Sequence, residues 1–302
     1  MALSTRLIRS KIKAVGNIRK ITKAMELVSA SKMKRSVSQA LATREYSTEA
    51  LNLLVHIAGE RSGDHALLHP GRGKAILVMI VASNKGLCGS FNVNTLKSAG
   101  RFIKEKDFIN RVEFVTIGKN AERGAKKTGR PVIASFTDLP DNLSIDDVGG
   151  LRKVVIDEFL SGKYERAFVV YMNYVSALQY QPVIRELLPV NPEIIKNIIE
   201  EIGGEATAKE VLPRNLALYL FEPDEAAVLD IVLPRLVETT LYQALLESLA
   251  SEHSARMFAM KNATDNASEL LDDLTLNYNH ARQDAVTREI SEIAAGAAVG
   301  KE

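Results

Sequence analysis

The sequence predicts an α/β protein whose two ends form a long antiparallel coiled coil, with a Rossmann-like α/β domain inserted between them. Three observations predict it. Apolar residues recur by threes and fours through Leu236–Val299, a stretch without proline and without glycine before Gly296. A second pattern of the same period fills the first 58 residues. Between the two, the period changes to short β-prone runs alternating with helical ones.

The C-terminal pattern reads Leu246, Leu249, His253, Met257, Met260, Thr264, Ala267, Leu271, Leu274, Tyr278, Ala281 and Ala285. Its mean step is close to the ~3.5 residues of a coiled-coil seam. At about 1.5 Å of rise per residue such a helix extends on the order of 90 Å, so it must protrude and find a partner along its length. The N-terminal pattern reads Ile8, Ile12, Val15, Ile18, Ile21, Met25 and Val28 and continues to about Ala58, with Ser4 as N-cap. Ala24–Ser31 and Ala263–Ser268 are rich in small side chains, which let two backbones approach closely.

Charge pairs the two ends. Residues 1–35 carry ten Lys/Arg against one acid, Glu26, whereas residues 222–302 carry six basic and fifteen acidic residues. Opposite and matching excesses at the termini suggest that they lie alongside each other.

The middle follows in order. Gly59–Gly73 is a turn-rich break. Ala75–Ala82 is a continuous apolar run, expected as a buried strand. Asn94–Asp107 predicts a helix, Val112–Ile117 a strand, Asn120–Lys127 a short helix and Val132–Phe136 a short strand. Ile145–Leu160 predicts a helix opened by Ser144. Ala167–Val175 is strongly β-prone and pairs with Gln181–Val190 through a hairpin around Ser176–Gln179. Glu193–Gly204 reads as a weak linker and Tyr219–Phe221 as a short strand. The last helix starts near Pro223, with Asp224 and Glu225 in its first turn, and Pro234 should kink or restart it. The domain boundaries expected are 1–58, 74–210 and 223–302.

Composition narrows the function classes. Hydrophobic content is 46%, aromatics are 6% and tryptophan is absent, which suits long helices better than an all-β core. One cysteine, Cys88, cannot form an internal disulfide. No run of 18 apolar residues is present and Met1–Arg6 lacks an apolar signal core, so neither a membrane span nor a secretory leader is expected. Asn84–Ser90 (NKGLCGS) stands where a phosphate loop would follow the first strand. It lacks both G-x-G-x-x-G and a Gly-Lys-Ser/Thr ending, so a tight turn using Gly86 and Gly89 is the better reading. The histidines show no metal-ligand spacing, and no cofactor is expected. The basic N-terminal helix has no interleaved aromatics for base stacking. Two rival readings remain at this point: a nucleic-acid-binding coiled-coil protein, and an α/β enzyme with helical arms.

Three stretches carry a resemblance. Ile18–Lys34 (IRKITKAMELVSASKMK), Ala255–Asn266 (ARMFAMKNATDN) and Asn279–Ala298 (NHARQDAVTREISEIAAGAA) resemble the gamma, or central-stalk, subunits of F-type ATP synthases. Gly86–Gly89 (GLCG) matches that family in the expected place. The resemblance covers both terminal helices closely and the α/β domain loosely. It implies a non-catalytic rotor shaft that binds no nucleotide and no nucleic acid. Its partners would be the alpha and beta subunits of the catalytic hexamer, an epsilon subunit and the membrane c-ring, at the cytoplasmic face of a bacterial cell membrane. Proton flow would turn the c-ring and this subunit with it. Carried over by position, Met25 matches the coupling methionine of the family's KAM motif and Arg256 the arginine of its ARM motif. Arg282, Gln283, Thr287 and Glu289 match positions that face loops of the surrounding subunits. Ile290 and Ile293, with Ala294 and Ala297, match the apolar tip that turns in an apolar sleeve. Photosynthetic members carry an insertion, and plant chloroplast members a redox dithiol within it. No such insertion is visible here, and a single Cys88 excludes an intramolecular dithiol.

Overall fold

A computed structural model describes residues 5–61, 65–108, 111–190 and 224–299, except the side chains of 43–61, 225 and 296–299. The expected linker Glu193–Gly204 and strand Tyr219–Phe221, the N-cap expected at Ser4, and Pro223, near which the last helix is expected to start, lie outside the described residues. The chain forms two compact units, one of residues 1–29 with 256–302 and one of residues 30–255.

The elements are α1 (Thr5–Arg61), β1 (Ala75–Val81), α2 (Phe91–Glu105), β2 (Val112–Ile117), α3 (Lys119–Lys126), β3 (Val132–Phe136), α4 (Gly149–Leu160), β4 (Tyr164–Ser176), β5 (Gln179–Leu188) and α5 (Glu225–Val299). Within residues 30–255, the five strands form one sheet in the order β3-β2-β1-β4-β5. The first four are parallel, and β5 returns antiparallel to β4 through the expected hairpin.

β1 explains its own apolar run. Ile76, Val78 and Ile80 face a cluster with Ala99, Phe102 and Ile103 of α2 and Ala121 and Ala125 of α3. Leu77, Met79 and Val81 face the other way, into a cluster with Leu151, Val155 and Phe159 of α4 and Leu229, Leu233 and Leu246 of α5. A strand covered on both faces has no polar side to show.

Several boundaries move for local reasons. α5 begins at Glu225 because Asp224 is its N-cap, its Oδ1 accepting the Ala227 N–H at 2.8 Å. Helix α4 is shorter than expected: Asp146–Val148 is a 3₁₀ turn, and Ser144 donates both its N–H and its hydroxyl to Asp147 at 2.7 Å. α1 runs to Arg61, so the break expected from Gly59 starts later. Leu67 in that break is 2% exposed and belongs to the main core, and a β-carbon on Gly73 would lie 1.8 Å from the Lys163 carbonyl oxygen. Lys32 of α1 bonds Asp141, a contact that holds this carboxyl below its usual range. Pro234 does not end the helix; α5 continues through it as one element.

The seam of α1 is the main correction. Ile8 is buried as expected, and Ile12 and Val15 are half-buried, but Ile18, Ile21 and Val28 are 52%, 59% and 54% exposed. The buried positions instead include Thr22, Ser29 and Ser36. Ile8, Val15, Thr22, Ser29 and Ser36 are spaced by strict sevens, the repeat that keeps one stripe on the partner of a left-handed pair. The apolar pattern drifts off that stripe after Val15. Small polar side chains take the seam because they let the backbones close in.

Candidate functional site

In the unit formed by residues 1–29 and 256–302, α1 and α5 pack together antiparallel. The Thr264 hydroxyl is 2.8 Å from Thr22 Oγ1, and Thr5 lines one hollow with Tyr278, Arg282 and Glu289. Seventeen residues forward along α1, from Thr5 to Thr22, thus match eighteen residues back along α5, from Arg282 to Thr264. The α5 seam follows the sequence reading: Met260, Thr264 and Ala267 are buried, and Leu271, Leu274, Tyr278 and Ala281 are half-buried. Ala285, also expected there, is exposed.

Every described side chain from Arg282 to Ala295 is exposed. Arg282, Glu289 and Ile293 fall on one stripe of the helix, with Val286 between them. Gln283, Thr287 and Ile290 fall on the neighbouring stripe, about 100° around. Ile290 is 62% and Ile293 71% exposed. Charged and polar groups run along this surface as far as Glu292, with Val286, Ile290 and Ile293 among them, before the small Ala294 and Ala295. Beside Thr5 the seam side opens as a hollow of ≈ 350 Å³.

Met25 and Arg256 stand apart from this surface. Arg256 is 26 residues before Arg282 in α5, or about 39 Å along the helix, and is 7% exposed. Met25 is half-buried beside the seam. It belongs to a stripe with Ile18, Ile21 and Val28, spaced by threes and fours along the flank of the seam. Taking these three as seam residues hid them as a surface. The signal that finds them is the strict seven-residue spacing of Thr22 and Ser29 behind Ile8 and Val15, which leaves the isoleucines outside.

The turn after β1 is built from its own contacts. Asn92 accepts the Ser83 N–H at 3.0 Å and donates to Ser83 Oγ at 2.8 Å and to Cys88 Sγ at 3.2 Å. The Asn120 side chain donates to the Ser83 carbonyl at 2.8 Å. Gly89 has the positive φ its residue type favours, at 55°; the other left-handed position is Leu87, at 62°, and not Gly86. Cys88 is 2% exposed and clusters with Phe91, Met172 and Ala255. Ala255 belongs to α5, and nearby Ser251 donates to the Met172 carbonyl at 3.1 Å. Helix α5 therefore packs at the C-terminal end of β4, beside β1. That is the crevice in which open α/β sheets hold ligands. Among the described residues no three His, Cys, Asp or Glu side chains group as metal ligands, and no helix is long and apolar enough to cross a membrane.

Comparison with known proteins gives a consistent result. A family model described as ATP synthase matches residues 4–299. An ATP synthase gamma chain from Roseiflexus castenholzii is 41% identical over 302 residues, covering 98% of each chain. One from Chloroflexus aurantiacus is 40% identical over 301 residues with the same coverage. Among solved structures, a chain of the Euglena gracilis mitochondrial ATP synthase aligns with TM-score 0.64 and 19% identity, covering 98% of this chain and 94% of its own. A chain of the Tetrahymena thermophila central stalk and c-ring aligns with TM-score 0.59 and 23% identity, covering 80% and 99%. At these identities the structural matches speak for the fold.

Proposed function

Since the chain belongs to the ATP synthase gamma-chain family, we propose that it is the central rotor shaft of a proton-driven F-type enzyme. It couples rotation of the membrane c-ring to conformational change at the beta-subunit catalytic sites. The paired segments 5–29 and 256–299 act as the shaft, and the sheet-bearing unit as a foot that meets the c-ring and the epsilon subunit. The chain performs no catalysis and binds no nucleotide itself. It works as a peripheral subunit at the cytoplasmic face of a bacterial membrane.

The observation that carries this reading is the change of surface along α5. Up to Ala281 one face of the helix is covered; from Arg282 to Ala295 every described side chain is exposed. Arg282, Gln283, Thr287 and Glu289 suit polar contacts that form and break at each step. Ile290 and Ile293 suit an apolar sleeve that exerts no directional hold. Ile18, Ile21, Met25 and Val28 add a second apolar stripe on α1, where alpha and beta subunits would bear. Coupling then means different contact with successive states of the hexamer, since a partner shifts an equilibrium only by binding its states unequally.

Reconstitution with alpha and beta subunits tests the reading. The chain is expected to enter the hexamer as a single copy and to raise its ATPase activity. A hexamer that excludes the chain, or hydrolyses ATP at the same rate without it, would overturn the proposal.

A further inference from the structure

Helix α5 carries a proline inside it, Pro234. Proline has no N–H, so the carbonyl of Asp230 loses its helical donor there. Within residues 30–255 the side chains around this point are tied to other elements. Asp230 Oδ1 lies 3.0 Å from Nε2 of His65, in the segment after α1. Glu238, one turn beyond the proline, accepts from Arg152 Nη1 of α4 at 3.4 Å and from Arg235 of its own helix. The Glu238 side chain is 4% exposed. Its Oε1 would be 3.7 Å from a β-carbon on Gly149, the first residue of α4, so the carboxylate sits where that helix begins.

The two tethers are placed to hold more than position. Asp230 and Glu238 are eight residues apart, about 12 Å along the axis and about 80° around it. Ties to two different elements, at two heights and two azimuths, oppose both sliding and twisting of α5. Asp230 is 73% exposed, so its tie to His65 contributes little to folding, and a Glu238 that loses Arg152 still accepts from Arg235. Arg152 and Arg235 keep 33% and 60% of their side chains exposed, beside an open hollow of ≈ 700 Å³. Removing the charge of Glu238 therefore leaves no cation buried without a partner.

We propose that His65, Arg152 and Glu238 are positioning residues that brace α5 around Pro234, making it torsionally stiff where its own hydrogen-bond ladder is broken. The inference rests on the rotor reading, since stiffness matters only for a helix that carries torque. The Arg152 contact is single-pronged, so a lysine there retains the tether and a methionine loses it.

The test uses the assembled enzyme. A bead on the outer face of α2 reports angular spread while the immobilised hexamer is paused, and vesicles report ATP-driven proton pumping. Wild type, E238Q, R152M and R152K are compared. E238Q and R152M should broaden the angular spread and lose pumping, with hydrolysis and melting temperature unchanged; R152K should match wild type. Wild-type spread and pumping in both E238Q and R152M would overturn the brace. So would a loss of pumping that tracks a fall in melting temperature and is not rescued by R152K. If E238Q fails to assemble, the Arg152 pair decides. Failure of the wild-type chain to assemble or pump would instead count against the rotor reading.

Discussion

Thr22 and Thr264 are 242 positions apart in sequence and share a hydrogen bond of 2.8 Å between their hydroxyls. Both are buried, at 8% and 9% exposure. Each hydroxyl also faces its own helix: Thr22 Oγ1 is 3.1 Å from the Arg19 carbonyl and Thr264 Oγ1 is 2.8 Å from that of Met260. Two hydroxyl protons serve these three contacts: one crosses the seam and the other goes from the receiving residue to its own helix, so the pair fixes the register of the two helices.

That arrangement predicts an asymmetry. T264V should cost about 1 kcal/mol, because the Thr22 hydroxyl loses one contact inside the seam. The double variant T22V/T264V should cost less than the sum of the two single variants, since the bond across the seam is lost only once. Urea denaturation of the four proteins checks this.

The seam and its flank should respond oppositely to substitution. S29L forces a large side chain between closely packed backbones and should destabilise by about 1–3 kcal/mol. I18S/I21S alters exposed positions and should change stability by no more than about 0.5 kcal/mol per site. It should nonetheless weaken assembly with alpha and beta subunits. Melting curves and pull-down of the hexamer separate the two effects.

The sequence showed the α5 seam almost completely, because Met260 to Ala281 follows one apolar period that its partner respects. It showed the sheet strands within a few residues, because β1 and β4 are apolar on both faces. It misled in α1, where pattern and burial part company. Ile18, Ile21 and Val28 are the most hydrophobic candidates, yet Thr22, Ser29 and Ser36 are buried. Hydrophobicity selects seam residues when area decides packing, and small size selects them when backbone distance decides. The brace at Pro234 was not legible either, since His65, Arg152 and Glu238 are brought together only by tertiary structure.

The polar contact residues should act on turnover and not on folding. T287A and E289Q are exposed changes, expected within about 0.5 kcal/mol of wild-type stability. Each should lower ATP synthesis by the assembled enzyme. A fall in melting temperature with normal synthesis would remove them from the contact surface.

Acid stability gives an independent check on the foot. Burial raises the pKa of Glu113, but hydrogen bonds from Lys163 Nζ at 2.6 Å and Tyr164 Oη at 2.7 Å outweigh it. The group ends below its ordinary 4.5. A carboxylate with a depressed folded pKa stabilises the fold above its unfolded value. That stability is lost as pH falls below 4.5 and through the folded value. E113Q should therefore be less stable than wild type at neutral pH, with the gap closing in acid. Denaturation at stepped pH from neutral to about pH 3 reads this directly.

The most direct test of the central claim is rotation itself. The hexamer of alpha and beta subunits is immobilised, this chain is added as the sole central subunit, and a bead is fixed to the outer face of α2. The account predicts sustained rotation in one direction on addition of ATP, slowed by T287A and E289Q. A bead that stays still while the hexamer hydrolyses ATP in the presence of the bound chain would contradict it.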